Sequence, residues 1–167
     1  MIVADATPLI HLGRAGALGL LPRLYQRVLV PRAVMEEILG GGQPRPESRA
    51  ILDASETWLE TRPLSPKERE DADSLLRGAP VGRGEAETHA LAASLGMAAL
   101  MDDRVAIDVA RIRGTETRWT TSVVLEAYRA GALDRKGATE TIENLVAAGL
   151  WIRQDVLLRI LATLGPD

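Results

Sequence analysis

The chain has 167 residues, enough to bury a proper core, and 46% apolar with 26% charged residues is the balance of a globular protein. It contains no cysteine, which excludes disulfides and thiolate-based zinc or iron–sulfur centres. A net charge of −3 argues against nucleic-acid binding driven by bulk charge.

All the basic residues except Lys67 and Lys136 are arginines, which suit bidentate phosphate contacts; GC-rich codon bias would give the same pattern. Phenylalanine is absent, so the core is expected to be aliphatic. The opening Met1-Ile2-Val3-Ala4-Asp5 lacks the basic and apolar regions of a signal peptide. No apolar run approaches the roughly 20 residues that span a bilayer. A cytoplasmic protein without membrane attachment is expected.

In chain order, Ile2-Val3-Ala4 reads as a short strand running into Asp5-Ala6-Thr7-Pro8, with Pro8 in the first turn of a helix over Leu9 to Leu21. Val28-Leu29-Val30 reads as a second strand ending at Pro31. Helix follows through Val34 to Leu39, stopped by Gly40-Gly41-Gly42. Pro46 to Ala54 reads as helix and Thr57 to Glu60 as strand. Ser65-Pro66-Lys67-Glu68 combines an N-cap serine, a proline at the first helical position and an acid at the third, so a helix starts there and ends near Gly78. Pro80 to Gly84 reads as loop, Glu85 to Leu95 as helix, and Ala98 to Met101 as a buried strand that delivers Asp102-Asp103. Helix through Val105 to Ala110, strand at Thr117 to Trp119, and helices at Ser122 to Ala130, Arg135 to Ala148 and Arg153 to Leu164 complete the chain. Strands alternating with helices predict one α/β domain over residues 1–167, with a mostly parallel sheet and helices on both faces.

The acids carry the chemistry. Ligands of open parallel sheets bind beyond the carboxyl ends of the strands, where Asp5, Asp102 and Asp103 are placed. Glu36 and Glu37 lie on the helix after the second strand, and Glu85 and Glu87 on the first turn of the helix preceding Asp102. Like charges brought together repel, and hard divalent cations such as Mg²⁺ or Mn²⁺ relieve that repulsion. Taken singly, each acid also has a plainer reading. Asp5 and the Asp102-Asp103 pair suit capping, Glu36 and Glu37 a solvated helix face, and Glu85 and Glu87 the positive end of a helix dipole. Neither histidine has a partner at zinc-ligand spacing. His11 reads as helix-packed or half-exposed, and His89 as an electrostatic i,i+4 pair with Glu85. Arg104, Arg111, Arg113 and Arg118 are candidates for a phosphate-binding rim or for ordinary solvated positions. Trp119 and Trp151 read as packed anchors.

Four ordered segments resemble PIN domains: Val3-Ala4-Asp5-Ala6-Thr7-Pro8-Leu9-Ile10, Val30 to Ile38, Gly84-Glu85-Ala86-Glu87-Thr88-His89-Ala90-Leu91-Ala92, and Leu100-Met101-Asp102-Asp103-Arg104 with Val109-Ala110 and Gly114. The tail from Gly149-Leu150-Trp151-Ile152 to Leu161 also resembles one branch of that family, whose third motif is Gly-Glu-Ala-Glu. The resemblance covers nearly the whole chain. It implies a PIN-like three-layer α/β fold with about five strands and a metal-dependent ribonuclease using Mg²⁺ or Mn²⁺. It also implies the toxin half of a toxin–antitoxin pair, acting on RNA, bound by a small antitoxin protein and assembled as a homodimer. The apolar helices near Leu9 to Leu24 are the expected dimer interface.

Carried over residue by residue, Asp5, Glu37, Glu87 and Asp103 match the metal-binding acids, and Thr7 matches the hydroxyl supporting the first of them. Glu36, Glu85 and Asp102 are the alternates to Glu37, Glu87 and Asp103. Independently of the resemblance, Arg104, Arg111 and Arg118 are the arginines expected to contact RNA if the rim reading holds. Two features depart from the family pattern. The third motif carries glutamates where many active members carry aspartate. Arg118-Trp119-Thr120-Thr121-Ser122 stands where the branch has Gly-Thr-x-Gly, with Thr121 and Ser122 as possible supporting hydroxyls. Both departures also fit a second reading, a PIN-like module that binds RNA or protein without cutting.

Overall fold

A computed structural model describes residues 1–40 and 45–165. It contains a five-stranded, wholly parallel sheet in the order β3-β2-β1-β4-β5, with helices on both faces. The strands are β1 (Ile2–Ala4), β2 (Val28–Pro31), β3 (Leu59–Arg62), β4 (Ala99–Leu100) and β5 (Thr117–Arg118). The helices are α1 (Ala6–Arg14), α2 (Leu20–Tyr25), α3 (Arg32–Leu39), α4 (Pro46–Ser55), α5 (Pro66–Gly78), α6 (Arg83–Leu95), α7 (Arg104–Ile112), α8 (Thr120–Arg129), α9 (Arg135–Ala147) and α10 (Gln154–Thr163).

Alternation along the short strands sorts the core into two layers. Ile2, Ala4 and Leu100 face a large cluster with Leu9, Leu12, Leu21, Ile51, Val123 and Ile142, whereas Val3, Ala99 and Met101 face Leu91, Ala106 and Ile107. Both clusters are aliphatic, as the lack of phenylalanine requires.

Three expectations shift. The single helix over Leu9 to Leu21 is two, because Gly16 adopts the left-handed conformation (φ +68°) and stops α1, whose turn then hands over to α2. These helices do not offer the expected dimer face: Leu9, Leu12, Leu18, Leu20 and Leu21 are buried inside the protein. Strand β3 lies two residues later than expected, at Leu59–Arg62, paired residue for residue with β2. The helix start at Ser65 is as expected. The Ser65 hydroxyl accepts from the Glu68 N–H and the Glu68 carboxylate from the Ser65 N–H. The expected stop at Gly40-Gly41-Gly42 falls largely outside the described residues. Among the described residues, no helix is long and apolar enough to cross a membrane.

The strand order places the topological switch between β1 and β4. The chain builds β1, β2 and β3 outward in one direction, then crosses back to lay β4 and β5 on the other side of β1. A crevice opens at the carboxyl ends of the two strands where direction reverses. Val3 pairs with Ala99 and Ala4 with Leu100, so Asp5 and the Asp102-Asp103 pair leave the sheet side by side at that crevice.

Candidate active site

Asp5 occupies the N-cap of α1 with extended backbone (φ −82°, ψ 167°), yet its side chain makes no capping hydrogen bond. It is 3% exposed, and its Oδ1 has no hydrogen-bond partner. Burial is the main force pushing its carboxyl up to about 7, aided by the negative charges of Glu85 and Glu37 and opposed by the N–H groups of Ala6 and Thr7. Thr7, the second residue of α1, therefore contributes to the site through its backbone N–H.

Glu37 approaches from α3. A Cβ added to Gly84 would lie 3.0 Å from Glu37 Oε2 and 3.2 Å from Asp5 Oδ1, so glycine at the second position of α6 lets both carboxylates close on the same stretch of backbone. Glu36, its neighbour, points elsewhere: Arg32 holds Oε1 at 3.0 Å and Arg83 holds Oε2 at 3.6 Å.

Helix α6 begins at Arg83, two residues before the expected start, which makes Glu85 its third residue. Glu85 Oε2 accepts the Gly82 N–H at 2.7 Å, while burial and the charges of Asp103 and Glu37 raise its carboxyl above the usual range. Glu87 is turned away from this group: its Oε1 pairs with Arg83 at 2.8 Å and its Oε2 accepts the Ala33 N–H at 3.4 Å. Of the two acids in the third motif, Glu85 faces the other carboxylates, and Glu87 ties α6 to the start of α3.

Asp102 and Asp103 divide in the same way. Asp102 accepts the Thr120 N–H at 2.9 Å and the Thr120 hydroxyl at 2.7 Å, and stands 3.5 Å from His11 Nδ1. It joins the end of β4 to the start of α8 and to α1. Asp103 caps α7 through the Ala106 N–H at 2.9 Å and faces Glu85. Thr120, fully buried, is the hydroxyl that supports an acid here; Thr121 and Ser122 are only half-buried. Its position two residues after β5, at the first position of α8, is the sequence signal that distinguishes it from Thr121 and Ser122.

The remaining candidates separate by their partners. Arg118 Nη1 lies 2.6 Å from Glu116, and its Nε donates to Glu126 at 2.9 Å; Tyr25 also donates to Glu126, so Arg118 belongs to a structural network. Arg111 pairs with Asp108 at 3.7 Å along α7. Arg104 lines a groove beside the acids. His89 is not paired with Glu85: it is buried, 3.3 Å from the Thr115 hydroxyl, and burial lowers its pKa. Trp119 and Trp151 are exposed rather than packed inside.

Among the described residues, no three Asp, Glu or His side chains close up as a ready-made metal cage. The donor chemistry nevertheless suits a hard divalent cation. Mg²⁺ is commonly held by one or two carboxylates with water and substrate oxygens completing its octahedron, and Asp5 and Glu37 supply such a pair, with the Asp5 oxygen unpartnered.

No curated protein matches the chain at a significant level. The family model DUF3368, described as a PIN domain, matches residues 1–166. The parallel sheet, the acids at its switch point and this match over nearly the full length agree, and the chain belongs to the PIN-domain family.

Proposed function

We propose that the protein is a ribonuclease that hydrolyses RNA phosphodiester bonds with Mg²⁺ or Mn²⁺ held by Asp5 and Glu37, and with Glu85 and Asp103 beside them. PIN domains are in general nucleases, and the observation that carries the reading to these residues is the buried Asp5, whose Oδ1 has no hydrogen-bond partner, facing other carboxylates at the β1/β4 switch point. A divalent cation there would stabilise charge on the phosphoryl oxygens and lower the pKa of a bound water.

The protein's own groups do the rest. Asp5 and Glu37 provide anionic oxygens against Gly84. Glu85, with one oxygen fixed on Gly82, keeps the other available to orient water or accept its proton. Thr120 and His11 hold Asp102, and so the turn that carries Asp103. The toxin role, a small antitoxin partner and a homodimer are part of the same proposal and rest on the family likeness. A single PIN-like domain and a cytoplasmic location belong to it as well.

A second reading, an RNA-binding module that does not cut, has one observation in its favour: Asp103 uses an oxygen to cap α7. Cleavage of labelled single-stranded RNA in Mn²⁺ separates the two. Wild type cuts, and Asp5→Asn and Asp103→Asn each lower the rate by about two orders of magnitude or more, the several kcal/mol that such metal assistance supplies. Equal activity in all three proteins would remove these acids from the reaction. A folded wild type that binds RNA without cutting any strand would establish the binding module.

A further inference from the structure

Beside Asp102 lies a groove of about 370 Å³ whose lining includes Arg104, Trp119, Leu150, Trp151 and Arg153. Two tryptophans stand exposed at it. Trp151 is 81% exposed and Trp119 40% exposed, and both line this one groove, where clustered rather than scattered apolar exposure marks an interaction site. Trp119 directly follows β5 and caps α8, while Trp151 sits in the turn between α9 and α10.

We infer that this groove is a nucleobase subsite, in which Trp119 and Trp151 stack on an unpaired base of the RNA strand while Arg104 contacts its phosphate. The inference rests on the nuclease reading and adds a specificity-determining subsite to it, one that holds at least one base splayed out of the strand. Three observations select this occupant. The lining is amphipathic in the manner of a nucleotide, combining two indoles and aliphatic side chains with the guanidinium groups of Arg104 and Arg153. Arg104 is exposed and meets Asp108 only at 4.0 Å, whereas Arg153 is braced by Asp155 at 2.8 and 2.9 Å. Asp102 lines the groove and directly precedes Asp103, so the groove adjoins the turn that carries one acid of the cluster. Bases inside an A-form duplex already stack on their neighbours and offer no free face to an indole, so a duplex does not fit.

The test is binding of a fluorescein-labelled single-stranded RNA decamer and of the same strand annealed to its complement, in EDTA so that nothing is cut. Trp151→Ala and Trp119→Ala each weaken binding of the single strand by about 5- to 150-fold, the loss of one stacked base. Trp151→Phe keeps most of the affinity, and placing an abasic site in the strand makes Trp151→Ala cost nothing further. Trp151 is so exposed that its loss leaves the fold intact, which circular dichroism checks. Unchanged affinity in Trp151→Ala overturns the inference. An equal loss for single strand and duplex overturns it too. If Trp151→Ala instead loses only self-association in sedimentation equilibrium, with RNA affinity unchanged, the groove belongs to a second copy of the chain. Metal-dependent cleavage with tryptophan-independent binding sinks the subsite alone, and stacking without cleavage sinks the nuclease reading alone.

Discussion

In metal-free buffer at pH 8, Asp5→Asn melts roughly 10 °C above the wild type. The sign follows from the Asp5 carboxyl, which burial and the nearby acids raise from 3.8 to about 7 in the folded protein. Below about pH 4 the group is protonated in both folded and unfolded chains and costs nothing. Between about pH 4 and 7 the unfolded chain releases its proton while the folded chain keeps it, so stability falls as pH rises. Above pH 7 the folded protein carries a buried charge that the Ala6 and Thr7 N–H groups only partly offset. At about 1.4 kcal/mol for each tenfold difference in affinity for the proton, the ceiling is roughly 4 kcal/mol. A chain of this size shifts about 2–4 °C per kcal/mol. Asparagine is neutral throughout, and its amide can donate to the neighbouring carboxylates. Thermal melts of both proteins in EDTA at pH 5 and pH 8 check this: the gap widens with pH. A gap that is absent or independent of pH would mean that Asp5 is not held against its ionisation. Stability given up at a working site is a common trade in enzymes.

Glu85→Gln lowers Mn²⁺-dependent cleavage about 10- to 100-fold, the range for residues that orient a metal site, whereas Glu87→Gln stays within a few-fold of wild type. Glutamine at position 85 can still accept the Gly82 N–H, so the start of α6 survives and only the charge facing Glu37 and Asp103 is lost. At position 87 the change removes an ion pair with an arginine that is 65% exposed, a contact worth little in water. Single-turnover rates with saturating RNA measure both. The reverse ranking would return the third motif's role to Glu87.

These two glutamates also show where a sequence stops being legible. The segments that end in acids were readable because short apolar runs give way to Asp5-Ala6-Thr7-Pro8, Pro31 and Asp102-Asp103, and the resulting strands pair as expected. The rotation of α6 was not. Gly84, Ala86, Thr88, His89, Ala90, Leu91 and Ala92 are all buried, so this helix has no clear polar side, and the choice between Glu85 and Glu87 is made by packing against the sheet and α5. The surroundings of Arg118 are illegible in the sequence for a related reason. Its partners Glu116 and Glu126 sit on β5's approach and on α8, and only the folded chain brings them together. Trp151 lies between Leu150 and Ile152, an apolar run that reads as core, but Leu150 alone is buried. Gly84 sits inside the quoted third motif, and its role emerges only once Asp5 and Glu37 are seen to meet at its α-carbon.

The central claim is that Asp5 and Glu37 hold a divalent cation, and Mn²⁺ titration of the purified protein, followed by electron paramagnetic resonance of the free ion at pH 8, tests it most directly. The account predicts binding by the wild type that Asp5→Asn weakens by about 100-fold or more, as loss of a carboxylate ligand requires. Glu36→Gln, whose carboxylate is engaged with Arg32 and Arg83, binds as the wild type does. Equal Mn²⁺ affinity in wild type and Asp5→Asn would contradict the account.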